Sequence, residues 1–105
     1  MTVIDTRIIN GTPASDFILA ELDSGSTTSQ FVVNGLGGGD VIFTGEFNDT
    51  IYGGGGADVV GTGNGDDTVY GGAGADCVID DGVNGNDRLY GGAGSDVLGG
   101  NDGKD

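Results

Sequence analysis

"YGGGGADVVGTGNGDDTVYGGAGADCV", residues 52–78, decides the fold. Cut every nine residues it reads GGGGADVVG (53–61), TGNGDDTVY (62–70) and, ending one residue further on, GGAGADCVI (71–79). The same frame extends back through TGEFNDTIY (44–52) to GLGGGDVIF (35–43). Forward, it skips Asp80 and Asp81 and resumes as GVNGNDRLY (82–90), GGAGSDVLG (91–99) and GNDGKD (100–105). The sixth position is Asp in every copy: Asp40, Asp49, Asp58, Asp67, Asp76, Asp87, Asp96 and Asp105. The eighth is aliphatic in every complete copy: Ile42, Ile51, Val60, Val69, Val78, Leu89 and Leu98. A nine-residue period interrupted by glycine is incompatible with helix, whose apolar residues recur at three and four.

Each half of the nonapeptide has its own conformational preference. The glycine-rich first five positions suit a tight turn with positive φ and close backbone approach. Positions seven to nine carry β-branched and aromatic residues that suit a short strand, with the eighth side chain pointing inward and its neighbours outward. Turn and strand in alternation wind a solenoid with two nonapeptides to each coil, and the eighth-position aliphatics of its two parallel sheets meet in a thin core. Turns therefore stack along two edges. Asp40, Asp58, Asp76 and Asp96 fall in one column and Asp49, Asp67, Asp87 and Asp105 in the other, with coils ~4.8 Å apart.

Like charges at that spacing repel unless something lies between them. Ca²⁺ takes six to eight oxygen ligands in a flexible shell, which carboxylates and glycine-turn carbonyls can supply; Mg²⁺ demands stricter octahedral geometry, and zinc prefers His and Cys. The balance of the whole chain agrees. Three Lys+Arg stand against 17 Asp+Glu, a formal charge of −14 over 105 residues, and 23 of the 25 glycines lie from Gly35 onward. Such a chain is expected to be unfolded without ions and rigid with them, because its nine inward aliphatics (the seven above with Ile18 and Val33) must offset the ordering of so much glycine.

Composition also excludes partners. No basic patch is present to neutralise phosphates, so nucleic acid is not expected, and anionic membranes are disfavoured on the same ground. No apolar run approaches ~20 residues, and MTVIDTRIIN lacks the basic and apolar regions of a signal peptide. Cys77 is the single cysteine and cannot form an internal disulfide. Histidine is absent, no Ser or Cys has a base partner, and GxxxxGK[ST] does not occur, so no enzyme is read here.

GGGGADVVG, GGAGADCVI and GGAGSDVLG match GGxGxDxUx, and by them Gly35–Asp105 resembles the RTX (repeats-in-toxin) family, a Ca²⁺-binding parallel β-helix repeat. The resemblance implies an all-β, right-handed parallel β-roll with about 4–6 Ca²⁺ ions between turns one coil apart. It implies sixth-position carboxylates as ligands, completed by carbonyls of the first four turn positions. On one edge those are Gly35, Gly37, Gly53, Gly54, Gly55, Gly56, Gly71, Gly72, Ala73, Gly74, Gly91 and Ala93. On the other they are Thr62, Asn64, Gly82 and Asn84. Phe47 replaces the fourth glycine in TGEFND, which weakens the first site on that edge, and Asp105 leaves its last site frayed or empty.

Residues 1–34 are expected to form a cap and a degenerate first coil, with residues 35–105 as the calcium-binding roll. GTPASDFIL (11–19) keeps Asp16 and Ile18 in frame but loses turn glycines; whether Asp16 joins the first column is left open. Residues 2–9 supply a capping strand, and AELDSGSTTSQ (20–30) is a polar excursion. Cys77 reads as a strand-surface residue rather than a nucleophile. Tyr52, Tyr70 and Tyr90, at recurring ninth positions, read as packing over the turn rims or as a sugar-stacking ladder. Arg88 is read as balancing nearby acid, and Asp66, Asp80, Asp81 and Asp102 as solvated charge. Family resemblance implies a module of a secreted or cell-surface bacterial protein, exported by a C-terminal signal that does not follow Asp105, so the chain is expected to be part of something larger. Alternatives are an accessory substrate-binding repeat of a secreted protease or polysaccharide-modifying enzyme, and calcium-dependent end-to-end self-association through bare strand edges.

Overall fold

The computed structural model describes residues 5–20, 29–44, 48–80 and 85–99. Ten strands run in chain order: β1 (Asp5–Asn10), β2 (Phe17–Ala20), β3 (Ser29–Asn34), β4 (Val41–Thr44), β5 (Thr50–Gly55), β6 (Val59–Thr62), β7 (Thr68–Ala73), β8 (Cys77–Asp80), β9 (Arg88–Ala93) and β10 (Val97–Gly99). Among the described residues there is no helix. Odd strands form one five-stranded sheet in the order β1-β3-β5-β7-β9 and even strands the other, β2-β4-β6-β8-β10. Every pairing is parallel. The chain is thus a β-solenoid whose successive strands alternate between two sheets.

Register confirms the coil of two nonapeptides. Ile51 pairs with Val69 and Ile42 with Val60, each the eighth-position residue two repeats on. Thr68 pairs with Arg88 and Cys77 with Val97, again two repeats on, so the insertion of Asp80 and Asp81 is absorbed without moving the inward aliphatics out of line. Phe17 pairs with Val41, across a longer first coil whose excess lies between β2 and β3. The N-terminal residues read as a cap and degenerate coil do continue both sheets, through β1 and β2.

Ile18, Phe31, Val33, Ile42, Ile51, Val60, Val69 and Val78 make up the buried core, with Ile9 and Leu89 packed against it. Phe31 was not among the expected core residues. It occupies a sixth position, where the later coils have Asp, and fills the space with a ring. Leu98 was expected inside but is 45 % exposed. It stands on β10, the last strand of its sheet, with no coil beyond it among the described residues.

The two outward faces differ. On the odd sheet Tyr52, Tyr70 and Tyr90 stack with centroids 5.1 and 5.0 Å apart and ring planes within 7°. Stacking of rings upon one another, rather than over the turn rims, is what a parallel in-register ladder imposes on identical residues. It also occupies both faces of Tyr70, which a sugar would otherwise use. On the even sheet the Phe43 ring lies over Gly61, whose absent Cβ would stand 2.5 Å from the ring, so a side chain from β4 covers the gap left on β6.

Candidate calcium sites

Sixth-position residues form two ladders of identical design. Along the first edge the backbone N–H of Asp16, Asp40, Asp58 and Asp76 donates to Oδ1 of Asp40, Asp58, Asp76 and Asp96 in turn, at 2.8, 2.8, 2.9 and 2.9 Å. Along the second, Phe31, Asp49 and Asp67 donate to Asp49, Asp67 and Asp87 at 2.9, 2.8 and 2.8 Å. Each carboxylate therefore reaches back across one coil. The main chain of the same residues is also paired: Val59 and Cys77 donate their N–H groups to the carbonyls of Asp40 and Asp58 at 2.7 and 2.8 Å. Oδ1 is thus spoken for. Oδ2 is not: at Asp40, Asp49, Asp58 and Asp76 this second oxygen is buried without a hydrogen bond. Burying an ionised oxygen without a partner costs several kcal/mol, so these rows call for a cation.

The glycine pattern GGxGxD has a reason at each position. At position one, a Cβ on Gly53 would stand 2.6 Å from Asp58 Oδ2 and 2.6 Å from the Gly71 carbonyl oxygen of the next coil. Gly35 and Gly71 repeat this, with 2.6 Å to Asp40 or Asp76 and 2.5 or 2.7 Å to the carbonyls of Gly53 or Gly91. Carboxylate and carbonyl oxygens converge on the space that a side chain would fill. At positions two and four, Gly54 and Gly56 have φ of +98° and +106°, and a Cβ on either would run into the carbonyl of Leu36 or Gly38. At position three, Gly55 has open space around it, and Ala73 and Ala93 stand at this position in the next two coils.

The second edge is built differently. Thr44 and Thr62 occupy position one, both buried, and their Oγ1 atoms form no hydrogen bond of good geometry. Thr44 nevertheless lies close enough to Asp49 to favour its charged form. Position five adds a ladder running the opposite way, in which Asp66 N–H donates to Asn48 Oδ1 at 2.7 Å and Asn86 N–H to Asp66 Oδ1 at 2.8 Å. Asp66 is therefore more than solvated charge, although it remains exposed. The glycine turns of the first edge have no side-chain acceptor at this position except at Ser95, since they carry Gly39, Ala57 and Ala75.

Burial pushes the Asp58 carboxyl up to about 6, opposed by the Asp40 N–H and reinforced by the charges of Asp76 and Asp40. Burial likewise raises Asp49 to about 6, against the Phe31 N–H and Thr44. Without a cation, Asp49 and Asp58 resist ionisation.

The donor set fits calcium. It is entirely hard oxygen, arranged one sixth-position carboxylate per turn with carbonyls between; among the described residues no three acidic, His or Cys side chains converge on a point, so a cation held between turns would take most of its ligands from the backbone. Asp40, Asp49, Asp58, Asp67, Asp76, Asp87 and Asp96 fall in the expected columns. Gly82, Asn84 and Asp105, together with Phe47, lie outside the described residues. Sequence reasoning missed Thr44, whose buried hydroxyl stands where the first edge has glycine, and the Asn48–Asp66–Asn86 ladder, whose signal was polar residues recurring at position five. It left Asp16 undecided, and the structure places Asp16 at the head of the first column.

Comparison with curated proteins and with solved structures finds no match to the chain. Comparison with family models finds the RTX calcium-binding nonapeptide repeat (4 copies) at residues 34–69, 62–79 and 81–105, about two thirds of the sequence. With the two columns of buried carboxylates in view, the conclusion is direct: the chain belongs to the family of RTX calcium-binding nonapeptide repeats.

Proposed function

We propose that the chain is a calcium-dependent structural module, folding as it binds Ca²⁺, of a secreted or cell-surface bacterial protein, and that it performs no catalysis itself. The observation that carries this reading is the row of buried, unpaired Oδ2 atoms at Asp40, Asp58 and Asp76, each facing a carbonyl of the next coil. Bound Ca²⁺ supplies positive charge between turns. The protein supplies the rest: carboxylates of Asp40, Asp58, Asp76 and Asp96 with carbonyls of the 35–38, 53–56, 71–74 and 91–94 turns on one edge, and Asp49, Asp67 and Asp87 with the Thr62–Asn64 turn on the other. About six divalent ions would bring the formal charge from −14 to about −2. Extracellular calcium modules bind at ~10⁻⁴–10⁻³ M, so such a chain stays unfolded where calcium is scarce and orders where it is plentiful. Equilibrium dialysis against calcium at about 1 mM, the upper end of that range, with elemental analysis tests the reading. Several Ca²⁺ per chain, with Mg²⁺ at the same concentration unable to replace them, is expected, and fewer than one would refute it.

A second reading, calcium-dependent self-association of two copies, is favoured by one observation. The outward side of the even sheet presents Phe17, Phe43, Val59, Ile79 and Val97, each at least 38 % exposed and none charged. On so acidic a chain this is the face at which two copies approach with least repulsion. Sedimentation velocity with calcium distinguishes a dimer weakened by Val59→Lys from a monomer unaffected by it.

A further inference from the structure

Resting on the calcium reading above, we infer that the two edges answer calcium in two steps, with Thr44 and Thr62 as the residues that set them apart. The first edge loads first and folds the chain; the second loads only at higher calcium. On both edges the position-one side chain is directed inward. The alternation of β5 buries Ile51 and Gly53 on either side of exposed Tyr52, and that of β4 buries Ile42 and Thr44 on either side of exposed Phe43. At Gly53 a Cβ would stand 2.6 Å from both Asp58 Oδ2 and the Gly71 carbonyl oxygen, closer than carbon approaches oxygen without bonding. Ca²⁺ needs such oxygens ~2.3–2.6 Å from a common centre, which glycine permits by having no side chain. Thr44 and Thr62 put a Cβ, a methyl and a hydroxyl at that position, both of them buried. Carboxylate and carbonyl are thereby kept from closing on an ion as they can at Gly53.

The turn backbone differs as well. First-edge turns have positive φ at positions two and four, as at Gly72 and Gly74, +99° and +119°. Among the described residues of the second edge it occurs at position four, in Gly65 and Gly85, +115° and +139°. The peptide carbonyls of the two kinds of turn therefore face differently. A further observation shows what holds the second edge before ions arrive. Asp66 N–H donates to Asn48 Oδ1 at 2.7 Å and Asn86 N–H to Asp66 Oδ1 at 2.8 Å, tying its turns together at position five beside the sixth-position ladder. The first edge has Gly39, Ala57 and Ala75 there and depends on ions for the same cohesion. The buried Oγ1 atoms of Thr44 and Thr62 offer an ion one more oxygen each. Each is neutral and belongs to the side chain that holds the charged oxygen away, so the loss of carboxylate contact outweighs it.

Dialysis of the full chain against a series of calcium concentrations, with elemental analysis and circular dichroism on each sample, tests this. Two steps of binding are expected, with the β signal complete at the end of the first. In Thr62→Gly the second step should move to about tenfold lower calcium, because position one then matches Gly53 and Gly71. A single binding step in the unmodified chain would overturn the inference while leaving the calcium reading intact. So would a second step that Thr62→Gly leaves in place or moves to higher calcium. An unmodified chain that binds no calcium would overturn both. If Thr62→Gly does not fold, crystals of the unmodified chain grown at a calcium concentration between the two steps decide. Anomalous-scattering peaks along the first edge alone are expected, and peaks of equal height on both edges would refute the ordering.

Discussion

Asp58 gives its backbone N–H to Oδ1 of Asp76, one coil later, at 2.9 Å. One side chain thereby fixes the distance between two coils and leaves its other oxygen buried without a partner. Structure and charge requirement are in the same residue, which makes the two separable by mutation.

Asp58→Asn keeps an oxygen able to accept the Asp40 N–H but removes the charge. Because burial raises the Asp58 carboxyl to about 6, neutralising it should make the calcium-free fold more stable at pH 7. The calcium midpoint should move the other way, upward by at least about tenfold, or ~1.4 kcal/mol. The residual β signal in chelator, read by circular dichroism against the unmodified chain, and a calcium titration measure the two effects. A purely structural aspartate would lose stability in both.

Adjacent glycines should respond in opposite directions. Gly54→Ala forces a side chain into φ +98° and against the Leu36 carbonyl, and should cost about 2–3 kcal/mol of calcium-loaded stability. Gly55→Ala meets open space and matches Ala73 and Ala93, and should gain about 0.4–1 kcal/mol. Thermal melts in calcium compare them.

Leu36 adopts φ +73° at the position where later turns have glycine. Leu36→Gly should stabilise the calcium-loaded fold by about 0.5–1 kcal/mol, since relief of left-handed strain outweighs the added chain entropy. A lower melting temperature would contradict this assignment of strain.

Dependence on pH follows from Asp49 and Asp58, both near 6 in the calcium-free fold against 3.8 ordinarily. Between pH 6 and about 4 the folded chain holds protons that the unfolded chain has released, so stability in chelator should rise as pH falls through that window. Calcium affinity should fall over the same window, because protons compete for the same oxygens. Circular dichroism in chelator from pH 7 to 4 checks the first and dialysis the second.

Much of this was legible because the repeat is strict. A fixed Asp and a fixed aliphatic in every nonapeptide determined the sheets, the core and both columns, and the shift at Asp80–Asp81 was readable as an interruption of the frame. Where the repeat relaxes, side-chain chemistry carries less information. Phe31 at a sixth position looked like ordinary strand sequence, and its burial depends on the missing carboxylate there. Asp16 could not be assigned because Thr12, Pro13 and Ala14 hide a turn whose backbone follows the repeat. The tyrosine stack follows from register alone, yet its consequence for the ring faces needed the observed centroid spacings of 5.1 and 5.0 Å.

Far-ultraviolet circular dichroism of the chain at pH 7, titrated with calcium and then returned to chelator, addresses the coupling of ion binding to folding most directly. A β signal that arises cooperatively with calcium and disappears with chelator is the expected result. A full β spectrum with a cooperative melt in chelator at that pH would contradict the account.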